Sequence, residues 1–304
     1  MQKKISRYVT EEYEDSTLQH FLRAGMGLTR REISRAKFLP GGICVDGEQK
    51  KVTARVKKGQ LVEVQTENGN KSSAQLSASR EPLEVLYEDA DVIIVNKPAG
   101  IQTHPAGRET FEADTLASRL MYYLGGKGEE GVIRIVGRLD KDTSGVVLAA
   151  KNRMAAGRLT VQREQGALKK IYLAVTEGIP EPESGEIRIP LAPDPEDKTR
   201  MIADPDGKSA GTHYRVRKKG KNRALVELWL ETGRTHQIRV HLKEKGCPLA
   251  GDPLYGTGGK ESGIGRTALH AAALTFRQPF TGEVIRVEAP MPKDIARLVE
   301  AMVK

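Results

Sequence analysis

The chain has only two cysteines, Cys44 and Cys247, and neither belongs to a C-x-x-C pair. That excludes a disulfide framework or a cysteine-built zinc centre as the organising feature, and both are expected to be small apolar fillers. The H-E-x-x-H spacing of a helical zinc site is also missing. No apolar run approaches the roughly 20 residues that a membrane-spanning helix needs. Behind Met1-Gln2-Lys3-Lys4-Ile5-Ser6-Arg7 there is no apolar stretch, so no signal peptide and no membrane association are expected, and the cytoplasm is the default location. There is no internal repeat.

Negative charge is the other shortage. Lys and Arg number 49 against 40 Asp and Glu, a formal net charge of +9. A basic excess points to a polyanionic partner, nucleic acid being the commonest. Its placement says more: between Ser16 and Gln65 there are ten Lys and Arg against four Asp and Glu. Most of the excess sits in this short stretch.

The stretch is expected to be a small α+β module over residues 1–65. Ser16 is a candidate N-cap for a helix burying Leu18, Phe21 and Leu22. Thr29 and Glu32 fit a capping box that starts a second helix. This helix turns Ile33 and Ala36 inward and carries Arg30, Arg31, Arg35 and Lys37 elsewhere on its surface. Pro40-Gly41-Gly42 ends it, and Asp46-Gly47 is a hairpin turn. A last strand is expected at Leu61–Val64. Residues 66–82 are polar and aperiodic and are expected to be a flexible linker. The phrase LTRREISRAKFLPGGICVDGEQ resembles the S4 RNA-binding module.

From residue 83 to 304 strands arrive in runs with few regular crossover helices, which predicts an α+β fold with a mixed sheet. DVIIVNKP, GVVLAAK, KKIYLAV and RALVELWLE read as strands. In the last, Val226, Leu228 and Leu230 alternate inward with Glu227 and Trp229 outward. DTLASRLMYYL, NRMAAGRLTVQREQ and KDIARLVEAMVK read as helices.

Three segments stand out for chemistry. Gly137 to Gly145, GRLDKDTSG, is poor in strand formers and must turn before a buried strand. A scaffold-held turn can carry catalytic groups, although local capping by Asp and Ser accounts for such a turn equally well. Lys169 to Val175 holds Tyr172 in an apolar strand, where a tyrosine is ordinarily core. Thr232-Gly233 is expected to end a strand and start a helix through RTHQIRVH. His236 and His241, five apart, would lie about 140° apart around that helix, wrong for two ligands on one face. Arg234 and Arg239 suit a carboxylate or phosphates. Asp140 and Asp142 also invite a paired-carboxylate or D-x-D metal reading, but alternate residues of one short turn do not flank a sugar from two sides.

Taken together, these segments resemble the RluA-type pseudouridine synthases. The motif R-L-D-x-x-T-S-G stands at Arg138 to Gly145. K-x-Y-x-A follows at Lys170 to Ala174, with Tyr172 placed 32 residues after Asp140. T-G-R-x-H-Q-I-R-x-H stands at Thr232 to His241, and GDPLYG and LHA follow at 251–256 and 269–271. One departure is Gly137, where the family usually has histidine.

The resemblance implies a mainly antiparallel catalytic domain over 83–304, acting on structured RNA. It implies large-subunit ribosomal RNA as substrate, with tRNA the alternative, and a protein working as a monomer without metal or cofactor. Asp140 becomes the carboxylate at the target ribose, by covalent addition or through a glycal intermediate. Arg239 becomes its cationic partner, Tyr172 the residue packed on the base, and Leu269 an apolar wall. Arg138 would fill the space left by a flipped base, and Arg234, His236 and Gln237 would contact RNA. The competing reading is a non-catalytic RNA-binding ribosome-assembly factor with the same fold.

Overall fold

A computed structural model describes residues 3–66, 77–105, 113–128, 133–256 and 262–302. Its first elements are β1 (Lys3–Tyr8), α1 (Leu18–His20, continued by a π-helical turn to Gly25), α2 (Arg30–Ala36), β2 (Ile43–Val45), β3 (Glu48–Gln49) and β4 (Leu61–Thr66). They form a four-stranded sheet in the order β1-β4-β2-β3. Leu18, Phe21, Leu22, Ile33, Ala36, Ile43, Val45, Val62 and Val64 are buried together beneath it.

The expected capping box is present, with the Thr29 hydroxyl and the Glu32 carboxylate each taking the other's backbone N–H. Asp46 and Gly47 turn between β2 and β3 with φ of 51° and 83°, the left-handed pair that a two-residue hairpin requires. Two details differ from expectation. The first helix is capped by Thr17, which accepts from the His20 N–H, while the Ser16 hydroxyl is buried with no partner among the described residues. And β1, too charged to read as a strand, pairs along β4 as a lysine-bearing edge. The expected linker falls largely outside the described residues.

The larger part contains β5 (Glu84–Glu88), β6 (Val92–Lys97), α3 (Leu116–Gly126), β7 (Arg134–Val136), β8 (Ser144–Ala150), α4 (Arg153–Glu164) and β9 (Lys169–Glu177). After these come β10 (Ser184–Arg188), β11 (Leu191–Pro193), β12 (Met201–Ala203), β13 (Gly211–Lys219) and β14 (Arg223–Leu230). The chain closes with α5 (Gln237–Glu244), β15 (Leu269–Arg277), β16 (Val284–Glu288) and α6 (Lys293–Ala301). The main sheet runs β10-β13-β14-β9-β15-β8-β6-β5, with β16 on β15 and β7 on β8.

This is the α+β arrangement expected, a mixed and mainly antiparallel sheet. The β8–β15 pair is parallel and the other ladders of this sheet are antiparallel. Val92 to Val95 and the whole of β8 are buried, because both faces of the sheet's centre are covered. Leu116, Leu120 and Leu124 of α3 and Ala155 and Leu159 of α4 join that core. Helix α6 lays Ile295, Leu298 and Val299 against Val175 and Ala250. On β14, Val226 and Leu228 are buried while Glu227 and Trp229 are half-buried, as the predicted alternation has it, but Leu230, expected inward, is half-buried like Trp229. Among the described residues no helix is long and apolar enough to cross a membrane.

Candidate active site

Asp140 lies in the turn between β7 and β8, with its side chain 31% exposed. Four successive carbonyls hold this turn. That of Leu139 accepts from the Thr103 hydroxyl at 2.7 Å, and that of Asp140 from the Thr143 N–H at 3.2 Å. That of Lys141 accepts from the Gly100 N–H at 2.9 Å and Lys97 Nζ at 3.0 Å, and that of Asp142 from Arg266 Nη1 at 3.0 Å. A segment too polar for a strand is thus fixed by side chains remote in sequence. Gly137 enters the turn at φ +84°, where a histidine would be strained, so glycine suits the backbone found here.

Facing Asp140 is the start of α5. His236 occupies the position before the helix with φ 55°, a left-handed conformation uncommon for a non-glycine residue. The expected helix therefore begins at Gln237 rather than just after Thr232-Gly233. One turn in, Arg239 points back at the carboxylate: its Nη1 is 3.7 Å from Asp140 Oδ2, and His236 Nε2 is 4.0 Å from the same oxygen.

GDPLYG supplies the support behind these two. Asp252, fully buried, receives Arg239 Nε and Nη2 at 2.7 Å each, and its Oδ1 also accepts the Leu254 and Tyr255 N–H groups. Two parallel charge-assisted bonds fix the plane of the guanidinium. Burial opposes the charge on Arg239, but Asp252 and Asp140 outweigh it and hold its pKa above the usual value. The Tyr255 hydroxyl lies 2.9 Å from His236 Nδ1, with its ring edge-on to the imidazole. Burial pushes the His236 imidazole below its ordinary pKa. Arg239 adds to that, and the charges of Asp140 and Asp252 oppose it.

Tyr172 is buried on β9. Burial first, then the charge of Asp140, push its phenol pKa up, so the hydroxyl stays protonated at neutral pH. Leu269, buried at the start of β15, pairs with Ala174 two residues along from Tyr172. The structure thus gathers Asp140, Arg239 and His236 and sets Tyr172 within the field of Asp140. Arg138 and Arg234 are exposed beside this group, with Arg234 Nε donating to the Ser209 carbonyl.

Gln237 does not face outward as an RNA contact would. It is buried; its Nε2 donates to the Gly211 carbonyl and Thr212 Oγ1, and its Oε1 accepts from Thr232 Oγ1 and the Arg234 N–H. Its polar atoms are taken up in holding the loop before α5. His241 is likewise a core histidine, between Thr212 Oγ1 and the Ile189 carbonyl.

Sequence reasoning passed over Lys97. Its side chain is fully buried and donates to the carbonyls of Pro98, Ile101 and Lys141 at 2.8–3.0 Å. Three acceptors match the three hydrogens of an ammonium. Burial lowers its pKa to about 7, against the opposing pull of Asp142 and Asp140. The available signal was a lone lysine closing an apolar strand before proline. Arg30, Arg31, Arg35 and Lys37 are all exposed on or just beyond α2.

Among the described residues one group has metal-ligand spacing: Glu186, His213 and Glu231, within 4.8 Å of one another. Arg188 already pairs with both glutamates there.

Residues 91–244 match the family described as RNA pseudouridylate synthase. The chain is 38% identical over 305 residues to the uncharacterized RNA pseudouridine synthase YlyB of Bacillus subtilis, covering 99% of each chain. It is 37% identical over 275 residues to the ribosomal large subunit pseudouridine synthase D of Xanthomonas campestris, covering 86% of this chain and 81% of that one. Among solved structures, human RNA pseudouridylate synthase domain containing 4 aligns with a TM-score of 0.59 and 25% identity, over 72% of this chain and 92% of that one.

Proposed function

This chain belongs to the RNA pseudouridylate synthase family, and we propose that it isomerises uridines of large-subunit ribosomal RNA with Asp140 as the carboxylate at the target ribose. The observation that carries this reading is the pair of side-chain nitrogens gathered on that carboxylate. Arg239 Nη1 and His236 Nε2 both approach Oδ2. A cation beside a carboxylate favours its ionised form as the site closes over RNA.

In the reaction the C1′–N1 bond breaks, the base turns, and a C1′–C5 bond forms. C5 gives up its proton, N1 gains one, and no electrons are exchanged. The Asp140 carboxylate serves equally for addition to C1′ or for removing the C2′ proton. Tyr172 packs on the base; being held protonated, it acts as a hydrogen-bond donor rather than as the acceptor of the C5 proton. Leu269 forms the apolar wall. Arg138, exposed beside Asp140, fills the space of the flipped nucleotide, whose unstacking costs a few kcal/mol.

The choice of ribosomal RNA rests on the relatives named for the large subunit and on the basic N-terminal part. We assign residues 1–65 as an S4-like module, 66–82 as a linker and 83–304 as the catalytic domain of a monomer. Arg30, Arg31, Arg35 and Lys37 hold phosphates, with Arg234 and His236 at the cleft.

The test is tritium release from RNA labelled at uridine C5, with ribosomal RNA and tRNA assayed separately beside Asp140→Ala. Release from ribosomal RNA that vanishes in the variant, while RNA affinity stays, is the expected result. Release from tRNA alone would move the substrate. Tight binding without release from either RNA would favour the assembly-factor reading.

A further inference from the structure

Among the described residues, the Tyr255 hydroxyl has two hydrogen-bonding neighbours. It accepts the Met201 backbone N–H at 2.7 Å and lies 2.9 Å from His236 Nδ1. A backbone N–H can only donate, so it takes an acceptor position on the phenol oxygen. The phenol's own hydrogen cannot go to that donor, and among the described residues its acceptor is Nδ1. A neutral imidazole that accepts at Nδ1 must carry its proton on Nε2. That nitrogen is the one 4.0 Å from Asp140 Oδ2.

We propose that Tyr255 is a positioning residue that sets the tautomer of His236, so that an Nε2–H donor, beside Arg239 Nη1, addresses Oδ2 of the reacting carboxylate. The proposal rests on the isomerase reading for its consequence, but the tautomer itself does not depend on that reading. The separation of 4.0 Å is longer than a hydrogen bond; contacts of this kind commonly tighten when substrate closes the site. Two donors approaching one oxygen fix the orientation in which the Asp140 carboxylate meets the ribose. The opposite tautomer would set an imidazole lone pair against a carboxylate oxygen and push Asp140 away.

The charged and titratable groups around His236 come from each adjoining segment. They are Asp140 from the turn before β8, Arg239 on α5, and Asp252 with Tyr255 behind it. Arg200, stacked on the Tyr255 ring, stands beyond. Removing the phenol hydroxyl frees the tautomer. In Tyr255→Phe the neutral imidazole can place its proton on Nδ1, whereas an imidazolium carries both hydrogens and restores the donor. The variant should therefore be slow at alkaline pH and recover as the pH falls.

Two measurements test this on the full chain. Nitrogen-15 shifts of the imidazole, assigned by their loss in His236→Gln, should show the Nε2–H form at pH 8 in the wild type and a shift toward Nδ1–H in Tyr255→Phe. Single-turnover isomerisation by Tyr255→Phe should fall about tenfold at pH 8, as expected for loss of one oriented hydrogen bond, and by less than threefold once the pH is below the lowered pKa of His236, with RNA affinity unchanged. His236→Gln, whose amide can still donate, should keep more activity than His236→Leu. An Nδ1–H tautomer in the wild type would overturn the proposal, as would a rate loss in Tyr255→Phe that is the same at both pH values. No turnover by the wild-type chain would remove the isomerase reading instead, and the nitrogen shifts would still decide the tautomer.

Discussion

Replacing Asp252 by asparagine tests the claim that Arg239 is aimed from behind. Arg239 is 6% exposed and Asp252 0%, and two N–H···O bonds of 2.7 Å join them. Asparagine is nearly the same size, so packing is preserved. Its oxygen can keep the Oδ1 position, which serves Arg239 Nη2 and the N–H groups of Leu254 and Tyr255. Its amide nitrogen must then face Arg239 Nε, donor against donor. Removing one partner of a buried pair costs about 3–5 kcal/mol, and because one of the two bonds survives we expect about 3 kcal/mol here. Urea unfolding should show a lower midpoint with the slope kept. Among the described residues the guanidinium's other carboxylate neighbour is Asp140 at 3.7 Å, so it should swing onto the proposed reacting group. Displacement of about 1 Å at a reacting group costs roughly a hundredfold in rate. RNA binding, which Asp252 does not touch, should persist. A stability loss below about 1 kcal/mol, with isomerisation within twofold of wild type, would refute the reasoning.

Three other outcomes follow from the same geometry. Lys97 titrates near pH 7 in the folded chain and at about 10.4 when unfolded. Between those values the unfolded chain holds a proton that the folded chain does not, so this group makes stability rise with pH, by at most about 1.4 kcal/mol per unit. In urea titrations from pH 7 to 9 Lys97→Met should lose that upward slope, and equal slopes would count against the assignment. Gly145, at φ +113°, has no room for a side chain: a Cβ would drive into the Ala271 carbonyl and sit 2.7 Å from the Ala271 nitrogen. Gly145→Ala should therefore lose at least about 3 kcal/mol, and a melting temperature within two or three degrees of wild type would show that the β8–β15 seam can shift. Changing Arg30 and Arg35 together to alanine should weaken RNA binding and flatten the plot of log affinity against log salt by about 1.5; an unchanged slope would remove them from the phosphate contacts.

The part of the fold that could be read in advance was the part governed by local chemistry. The Thr29–Glu32 capping box, the Asp46-Gly47 turn and the alternation along Ala224 to Leu228 each depend on residues a few positions apart. The edge strand β1 and the short pair β11–β12 escaped because their partners, not their own composition, make them strands. The motif singled out Asp140, Tyr172 and Arg239 as candidates, and the structure sets Arg239 beside Asp140. The motif could not tell that Gln237 turns inward, since an amide serves a loop or an RNA equally well until its acceptors are known. Nor could it assign GDPLYG: Asp252 and Tyr255 have a role only because the chain beyond α5 returns beneath Arg239 and His236.

The same return explains why the site needs the whole sheet. Asp140 comes from the side containing β6 and β8, whereas Arg239, Asp252 and Tyr255 follow β14 on the other side. The two sides meet where β8 runs parallel to β15, through only two registered pairs, Ser144 with His270 and Ala271 with Gly145. So short a ladder is weak by itself, and side chains reinforce it. Ser144 Oγ and His270 Nδ1 lie 2.9 Å apart, and Arg266, placed just before β15, donates to the Asp142 carbonyl while pairing with Asp294 of α6. Arg266 therefore ties the turn that carries the carboxylate to the side that carries its cation. A pair split across a seam, as Asp140 and Arg239 are, exists only once the long-range contacts have formed, so a partly folded chain would present neither an oriented Asp140 nor a cation to hold it.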